Sequence, residues 1–238
     1  MAYRTNPRFA QARVGVEAID EGLRGYMLSV FNYMALGLAI TGLVAFVVGT
    51  TPALYGPIFG SPLKWVVMLA PLGFVFFLGA RVHAMSVSAA QMTFWLFAAV
   101  MGLSLASIFL VFTGESIARV FFITAATFGA TALWGYTTKR DLTGMGSFLF
   151  MGLIGIVIAS LVNIFIGSSA LQFAISVIGV LVFTGLTAYD VQRIKGDYFE
   201  YGSAGEMVAK GAIMGALSLY LNFINLFTSL LSLFGNRE

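Results

Sequence analysis

The sequence predicts an all-α integral membrane protein, folded as a bundle of seven transmembrane helices. Of the 238 residues, 59% are hydrophobic and only 10% are charged, whereas a soluble domain carries about 25% charged residues. The apolar residues also fall into seven runs, and a run of about 20 such residues is long enough to cross the hydrocarbon core of a bilayer. A surface of this composition is expected to face lipid over most of its area.

The seven predicted spans are separated by short segments rich in turn residues or charge. They cover residues 27–49, 63–82, 89–112, 117–137, 144–166, 171–192 and 207–234. Three prolines mark 50–62 as a loop, the Thr113 hydroxyl or the Glu115 carboxylate is available to cap the fourth helix, and 195–206 is the longest polar loop after the N-terminus. The chain is therefore expected to consist of a cytoplasmic N-terminal tail, 1–26, and a transmembrane domain, 27–236.

The basic residues indicate which helix ends face the cytoplasm. With seven crossings and the N-terminus inside, the cytoplasmic side collects ten of them: Arg4, Arg8, Arg13, Arg24, Arg81, Lys139, Arg140, Arg193, Lys195 and Lys210. The other side keeps only Lys64, Arg119 and Arg237. This excess follows the positive-inside rule and predicts a cytoplasmic N-terminus. A six-helix alternative, in which the last segment dips into the membrane and returns, would place Arg237 inside as well.

Small and polar residues form one continuous stripe along the seventh span. Their spacing alternates between four and three residues, which puts them on one helix face: Gly211, Gly215, Ser218, Asn222, Asn225, Ser229 and Ser232. An amide exposed to lipid is costly, so this stripe is expected to face protein or water and to place the seventh helix within the bundle.

Two further spans carry similar stripes, on residues 124–138 of the fourth and 172–190 of the sixth. Their members are Thr124, Thr127, Thr131, Gly135 and Thr138, and Gln172, Ser176, Gly179, Thr187 and Asp190. Two interpretations are open. Small and hydroxyl residues mediate close helix packing in membranes, and the same residues would line a polar conduit between these helices.

Asp190 is an ionisable residue inside the sixth predicted span, three residues before Arg193. Burying charge in a membrane is expensive, so such residues usually mark function; the alternative is a carboxylate that reaches the interface or pairs with Arg193 or Lys195. Arg81 ends the second span on the same side and is either a partner of Asp190 or an interfacial anchor. Asn222, taken alone, is more often a link between helices.

Several classes of chemistry are not expected. The chain has no cysteine and a single histidine, His83, without a ligand cluster around it, so a thiolate or histidine metal site is not predicted. Tyr189–Asp190 is similar to the first half of an intramembrane aspartyl protease site, but that mechanism needs two carboxylates and no second aspartate lies in a span. The sequence shows no nucleotide-binding or nucleic-acid-binding motif. It therefore predicts neither an enzyme nor a cofactor.

Two segments resemble a known family. The run Thr187–Lys195, TAYDVQRIK, together with Leu217–Phe227, LSLYLNFINLF, is similar to the paired signature of the Bax inhibitor-1 family, the proteins with a transmembrane Bax inhibitor motif. The segments Tyr136–Leu142 and Ile154–Asn163 resemble its bacterial inner-membrane branch, and the likeness extends from about residue 20 to Asn236.

The resemblance implies a seven-helix bundle with the seventh helix central and the other six around it, in a bacterial inner membrane. It also implies a pH-sensitive calcium leak channel, in which one aspartate on helix six and one on helix seven share a proton. Asp190 matches the first aspartate, and Arg81 matches, with a gap, an arginine near the end of helix two. Asn222 stands at the position of the second aspartate. Because an amide neither titrates nor adds charge, both pH sensing and divalent binding are expected to be weakened.

The leading hypothesis is thus a cation leak channel or ion-homeostasis protein, with calcium or protons as the transported ions. Asp190 is the predicted gate and a weak calcium ligand, with Asn222 as its hydrogen-bond partner and Arg81, Asn225 and Ser218 along the pathway. The alternative is a non-transport regulator that binds other membrane proteins, such as quality-control proteases. The predicted partners are therefore the lipid bilayer, cations and membrane proteins, and not nucleic acid.

Overall fold

The fold is all-helical over the part of the chain that the structure describes. A computed structural model describes residues 7–201 and 205–237, and residues 7–20 by their backbone alone. Eight α-helices follow one another within these two described ranges: α1 (Pro7–Thr50), α2 (Pro52–Phe59), α3 (Leu63–Arg81), α4 (Val87–Leu105), α5 (Gly114–Thr137), α6 (Thr143–Ile166), α7 (Ser169–Tyr201) and α8 (Gly205–Phe234). This confirms the predicted fold class.

Seven of these helices are long and apolar enough to cross a membrane, namely α1 and α3–α8. They correspond one to one to the seven predicted spans, and short 3₁₀ turns extend α3 through Ala84 and α4 through Leu110. The last span is a single helix of 30 residues, and its end is held beside the start of α5 by a hydrogen bond from the Asn236 amide to the Ser116 hydroxyl (2.9 Å). The last segment is therefore one continuous helix that does not turn back, which contradicts the six-helix alternative.

The prediction of a loop over 50–62 is wrong in part, because α2 occupies Pro52–Phe59. Pro52 stands at the start of this helix, where its missing N–H would be unpaired in any case and its fixed φ favours the helix. Pro57 lies inside the helix, but α2 is so short that only one backbone hydrogen bond is lost there. The prolines thus shape a short helix that links α1 to α3.

The predicted polar loop over 195–206 is also largely helical. α7 continues to Tyr201 and α8 begins at Gly205, with 202–204 outside the described residues. Charged residues such as Lys195 and Asp197 are good or acceptable helix formers, so a polar stretch at a helix end does not by itself stop the helix. On the side where the two helices are joined, α7 therefore continues past Asp190 and α8 begins before Lys210.

α8 is the most buried of the seven spans and packs on α7, α1, α5 and α4. In its most apolar window 56% of the residues are buried, against 6% for α6, which packs almost entirely on α7. Close approaches occur at glycine: the backbone of Ala188 lies where a side chain on Gly135 would stand, and the Tyr189 ring does the same at Gly146. The position of α8 at the centre of six surrounding helices stays a prediction.

The N-terminal tail and the domain limits predicted at 1–26 and 27–236 fall partly outside the described residues. Residues 1–6 are among those that the structure does not describe, and from Pro7 the backbone is helical and continuous with the first span. The domain division itself stays a prediction.

Candidate functional site

Asp190 and Asn222 are in direct contact in the interior of the protein. The Asn222 amide nitrogen donates a hydrogen bond of 2.7 Å to one carboxylate oxygen of Asp190. The other carboxylate oxygen lies 2.9 Å from a guanidinium nitrogen of Arg193, which also donates to the Ser218 hydroxyl at 3.2 Å. Both oxygens of Asp190 are thus engaged, one by a neutral amide and one by a cation, although the residue is only 7% exposed.

The length of α7 and α8 brings these residues to the same level. α8 begins at Gly205, 17 residues or about 25 Å along the helix axis before Asn222, and α7 continues to Tyr201, 11 residues or about 17 Å beyond Asp190. Close contact between the two helices is possible because α8 presents glycine to α7. Gly211 faces the ring of Tyr201 and Gly215 faces the side chain of Ile194. A larger residue at Gly211 would overlap the ring and separate the helices that hold Asp190 and Asn222 together.

The site opens into a cleft bordered by α3, α6, α7 and α8, with a volume of about 1020 Å³. We call it the polar cleft, because one of its walls carries a series of polar side chains from α7 and α8: Gln172, Ser176, Asp190, Arg193, Ser218, Asn222, Asn225, Thr228, Ser229 and Ser232. The opposite wall, from α3 and α6, is mainly apolar, with Leu72, Val75 and Ile156 among its residues. The cleft therefore has one face suited to water and one suited to lipid.

The polar cleft runs along the bundle over most of the thickness of a bilayer. Its lining on α6 extends from Gly146 to Ile164, a rise of about 27 Å, and a hydrocarbon core is about 30 Å thick. At the end remote from Asp190 a second cavity of about 360 Å³ shares Gln172, Ser176 and Ser232 with the polar cleft. The polar lining therefore reaches from the level of Arg193 to the opposite end of α7.

The structure brings most of the sequence-predicted site residues to the polar cleft. Ser218, Asn222 and Asn225 all line it, and the Asn225 amide donates to the backbone carbonyl of Leu221 at 2.8 Å. Arg81 is not brought there: its side chain is exposed at the end of α3, outside the residues that line the polar cleft. Among the described residues it is Arg193, one turn after Asp190 on α7, that supplies the cation beside Asp190.

The three predicted polar stripes differ in what they contact. In α5 the hydroxyls of Thr124, Thr127 and Thr131 donate to carbonyls of their own helix at 2.6–2.9 Å, and Gly135 packs on α7, which is the packing interpretation. In α7 and α8 the stripes lie side by side along one wall of the polar cleft, which is the geometry of a conduit.

The contacts of two polar residues of the TAYDVQRIK motif, Gln192 and Lys195, were not predicted from the sequence. The Gln192 side chain accepts from the Leu142 amide and donates to the Arg140 carbonyl, both at 2.9 Å. The Lys195 ammonium donates to the Tyr136 carbonyl at 3.2 Å. These bonds fix α7 against the α5–α6 connection, so that Asp190 is held on a rigid segment. Gln192 and Lys195 follow Asp190 by two and five residues in a hydrophobic helix. That position was the signal in the sequence that could have identified them as contact residues.

Among the residues whose side chains the structure describes, Asp190 is the one carboxylate that lines the polar cleft. Among the described residues no group of three or more His, Cys, Asp or Glu side chains is placed to hold a metal ion. His83 contributes only its backbone carbonyl, which accepts from Lys210 at 3.5 Å. Calcium prefers six to eight oxygen ligands, so a cation here would depend on the Asp190 carboxylate, on amide and hydroxyl oxygens and on water.

Comparisons with known proteins agree with the motifs. The model of the family described as Inhibitor of apoptosis-promoting Bax1 matches residues 23–238. An uncharacterized protein of Rickettsia prowazekii is 48% identical, over 93% of this chain and 94% of its own length. A Caulobacter vibrioides protein is 47% identical, over 93% and 92%. The inner membrane protein YbhL of Escherichia coli is 46% identical, over 91% and 94%.

Proposed function

This chain belongs to the Bax inhibitor-1 family, and on that premise we propose that it is a cation leak channel or ion-homeostasis protein with calcium as the first candidate ion. The observation that carries the proposal is the position of the Asp190 carboxylate. It is buried in the membrane-spanning part and lines a polar cleft of about 1020 Å³. An ionisable residue in a span is costly and is usually kept for function. Protons are the second candidate ion.

The shape of the polar cleft supports a pathway along the bundle. Hydroxyl and amide groups follow one another on α8 at Ser218, Asn222, Asn225 and Ser229, at intervals of about 5 Å. A hydrated ion needs such groups or water at each step, because bare charge in hydrocarbon is strongly disfavoured. Asp190 supplies the negative charge that attracts a cation near one end.

Arg193 sets the resting state of the proposed pathway. Its guanidinium occupies one oxygen of Asp190 at 2.9 Å, so the carboxylate is neutralised by a cation of the protein itself. A passing cation must displace this guanidinium, whose side chain is 43% exposed and can move toward the helix end. The site is therefore expected to favour leak over tight binding.

Asn222 supports the weakened pH sensing that the sequence suggests. Two carboxylates at hydrogen-bonding distance cannot easily both ionise and share a proton. The amide of Asn222 holds Asp190 at 2.7 Å without that competition. Flux through the natural protein is expected to vary little between pH 5 and 8.

The test is calcium influx into dye-loaded proteoliposomes across pH 5 to 8. The natural protein should pass calcium with a flat pH profile, Asp190→Ala should change the flux, and Asn222→Asp should make it pH-dependent, because the two carboxylates would then share a proton. Thr127→Val is the matched control, since that hydroxyl bonds only its own helix. Flux no greater than in protein-free liposomes at every pH would overturn the proposal.

The Asp190–Arg193 pair also favours a second candidate, a non-transport regulator that binds other membrane proteins. With its charge neutralised, the site has less attraction for a free cation than a bare carboxylate would have. Co-purification of one defined membrane protein, together with the absence of flux, would favour this function over the channel.

The proposal assigns no catalytic role to Asp190. The polar partners of Asp190 are an amide and a guanidinium, whereas an aspartyl mechanism needs a second carboxylate.

The chain is a multi-pass membrane protein, and its Escherichia coli relative is named an inner membrane protein. We infer the same membrane here, with the N-terminus in the cytoplasm as the positive-inside rule requires.

A further inference from the structure

A second membrane-facing cavity lies on the other side of the bundle, between α1 and α5. It has a volume of about 730 Å³, and we call it the α1–α5 groove. Its walls include Phe31 and Leu38 of α1 and Ala125, Gly129 and Ala132 of α5, and Phe223 of α8 lies at its base. A side chain added at Gly129 would meet no atom within 4 Å. The small residues of α5 therefore leave open space that no helix of the described chain fills.

The two ends of the α1–α5 groove differ in polarity. One end is lined by Arg24 and Tyr136, and the Lys195 ammonium lies 4.7 Å from the centroid of the Tyr136 ring. A cation of α7 thus lies beside the Tyr136 ring at this mouth, and Arg24 of α1 lines the same end of the groove. Tyrosine and basic residues are the side chains that anchor at the level of lipid headgroups. The other end, at Leu38 and Ala125, is apolar.

The dimensions of the α1–α5 groove match one leaflet of a bilayer. From Arg24 to Leu38 the lining of α1 rises about 21 Å, and from Tyr136 to Ala125 that of α5 rises about 16 Å. Half of a hydrocarbon core is about 15 Å thick. A lipid whose headgroup lies at the mouth would have its acyl chain along the full length of the groove.

The volume favours an acyl chain over a helix of another protein. A helix about 10 Å wide that rises 1.5 Å per residue fills roughly 120 Å³ per residue. A helix along the groove would need about 14 residues, or roughly 1,700 Å³, which exceeds the space of about 1400 Å³ that no atom of the protein occupies there. A single acyl chain is thinner than a helix and fits in that space.

We propose that the α1–α5 groove is a binding site for an anionic phospholipid, with one acyl chain between α1 and α5 and the headgroup phosphate beside Arg24 and Lys195. Basic pockets between transmembrane helices recognise such headgroups by charge. The site is separate from the polar cleft and does not depend on the proposed ion flux.

The test is native mass spectrometry of the whole protein, purified in mild detergent and mixed with phosphatidylglycerol or phosphatidylcholine of identical acyl chains. The natural protein should retain more phosphatidylglycerol. Each of Arg24→Gln and Lys195→Gln should reduce that preference about fivefold, the effect of one basic residue near an anionic headgroup. Gly129→Leu should reduce retention of both lipids, because its side chain fills the groove. Arg119→Gln, an exposed basic residue at the start of α5, is the matched control and should change nothing.

Equal retention of the two lipids by the natural protein would overturn the proposal, whatever the variants do. An Arg119→Gln loss equal to that of Arg24→Gln would overturn it too, since the preference would then reflect overall charge. A dimer that Gly129→Leu dissociates, without lipid retention, would assign the groove to a second copy of the chain.

Discussion

The two long faces of α8 are built on different principles. On the face toward α1 and α4, Tyr220 is fully buried against the edges of Phe94 and Phe97, with ring centroids 6.1 and 5.3 Å away. We call this the closed face. On the face toward α3 and α6, Ser218 and Asn225 line the polar cleft. One helix thus carries a packed interface and an open polar wall, about half a turn apart.

The closed face also contains polar atoms, but they are paired across helices. The Thr41 hydroxyl donates to the Ala98 carbonyl at 2.8 Å, and its oxygen lies 2.6 Å from the Tyr220 hydroxyl. Because Thr41 has a single hydroxyl hydrogen, Tyr220 must be the donor in the second bond. On the cleft side, Asn225 and Ser229 bond carbonyls of α8 itself. The closed face therefore stabilises the bundle, whereas the cleft face leaves polar groups for water or ions.

The largest expected effect concerns the aromatic packing of the closed face, compared with a phenylalanine on the outside of the bundle. Phe94→Ala should lower the free energy of unfolding by about 3 kcal/mol, because Phe94 is fully buried and its removal leaves a cavity. Phe165→Ala, at a side chain that is 89% exposed to the outside of the bundle, should cost almost nothing. Unfolding in mixed detergent micelles measures both. Equal losses would show that the closed face is not the stable part of the bundle.

A smaller difference is expected within the hydrogen-bonded chain of the closed face. Tyr220→Phe should cost about 0.6 kcal/mol, the average for such bonds in membranes, because Thr41 still donates to Ala98. Thr41→Val should cost about 1–3 kcal/mol, because the buried Tyr220 hydroxyl loses its acceptor. The same unfolding measurement compares the two variants. A larger loss for Tyr220→Phe would contradict the donor assignment.

The spans and the stripe of α8 could be predicted because they depend on local sequence alone. Hydrophobic length identifies a span, and the spacing of Ser218, Asn222 and Asn225 requires them to share a face whatever surrounds them. The stripe of α5 has the same residue types, yet it packs against its own backbone and α7. Which stripe borders a cleft depends on the position of neighbouring helices, and the spacing of one helix does not contain that information.

The contacts of Asp190 show where local reasoning ends. Arg193 at the next turn was an available partner, but so were Lys195 and Arg81, and only the fold distinguishes them. Lys195 bonds the Tyr136 carbonyl instead. Asn222 lies at the level of Asp190 because α7 continues to Tyr201. The charged composition of that last stretch of α7 had instead predicted a loop. A polar helix that projects from a membrane and a polar loop have similar composition.

The smallest expected effect on stability lies on the cleft face. Asn225→Leu should change the free energy of unfolding by less than about 0.5 kcal/mol, the usual range for residues away from the core, because the Asn225 amide bonds only the carbonyl of Leu221. The same variant should lower calcium influx into proteoliposomes, because it puts an apolar side chain in the polar wall of the proposed pathway. Ser229→Ala, which keeps the wall open, is the control. A destabilised Asn225→Leu variant with normal influx would mean that this face, too, is a packing surface, and the contrast between the two faces of α8 would be lost.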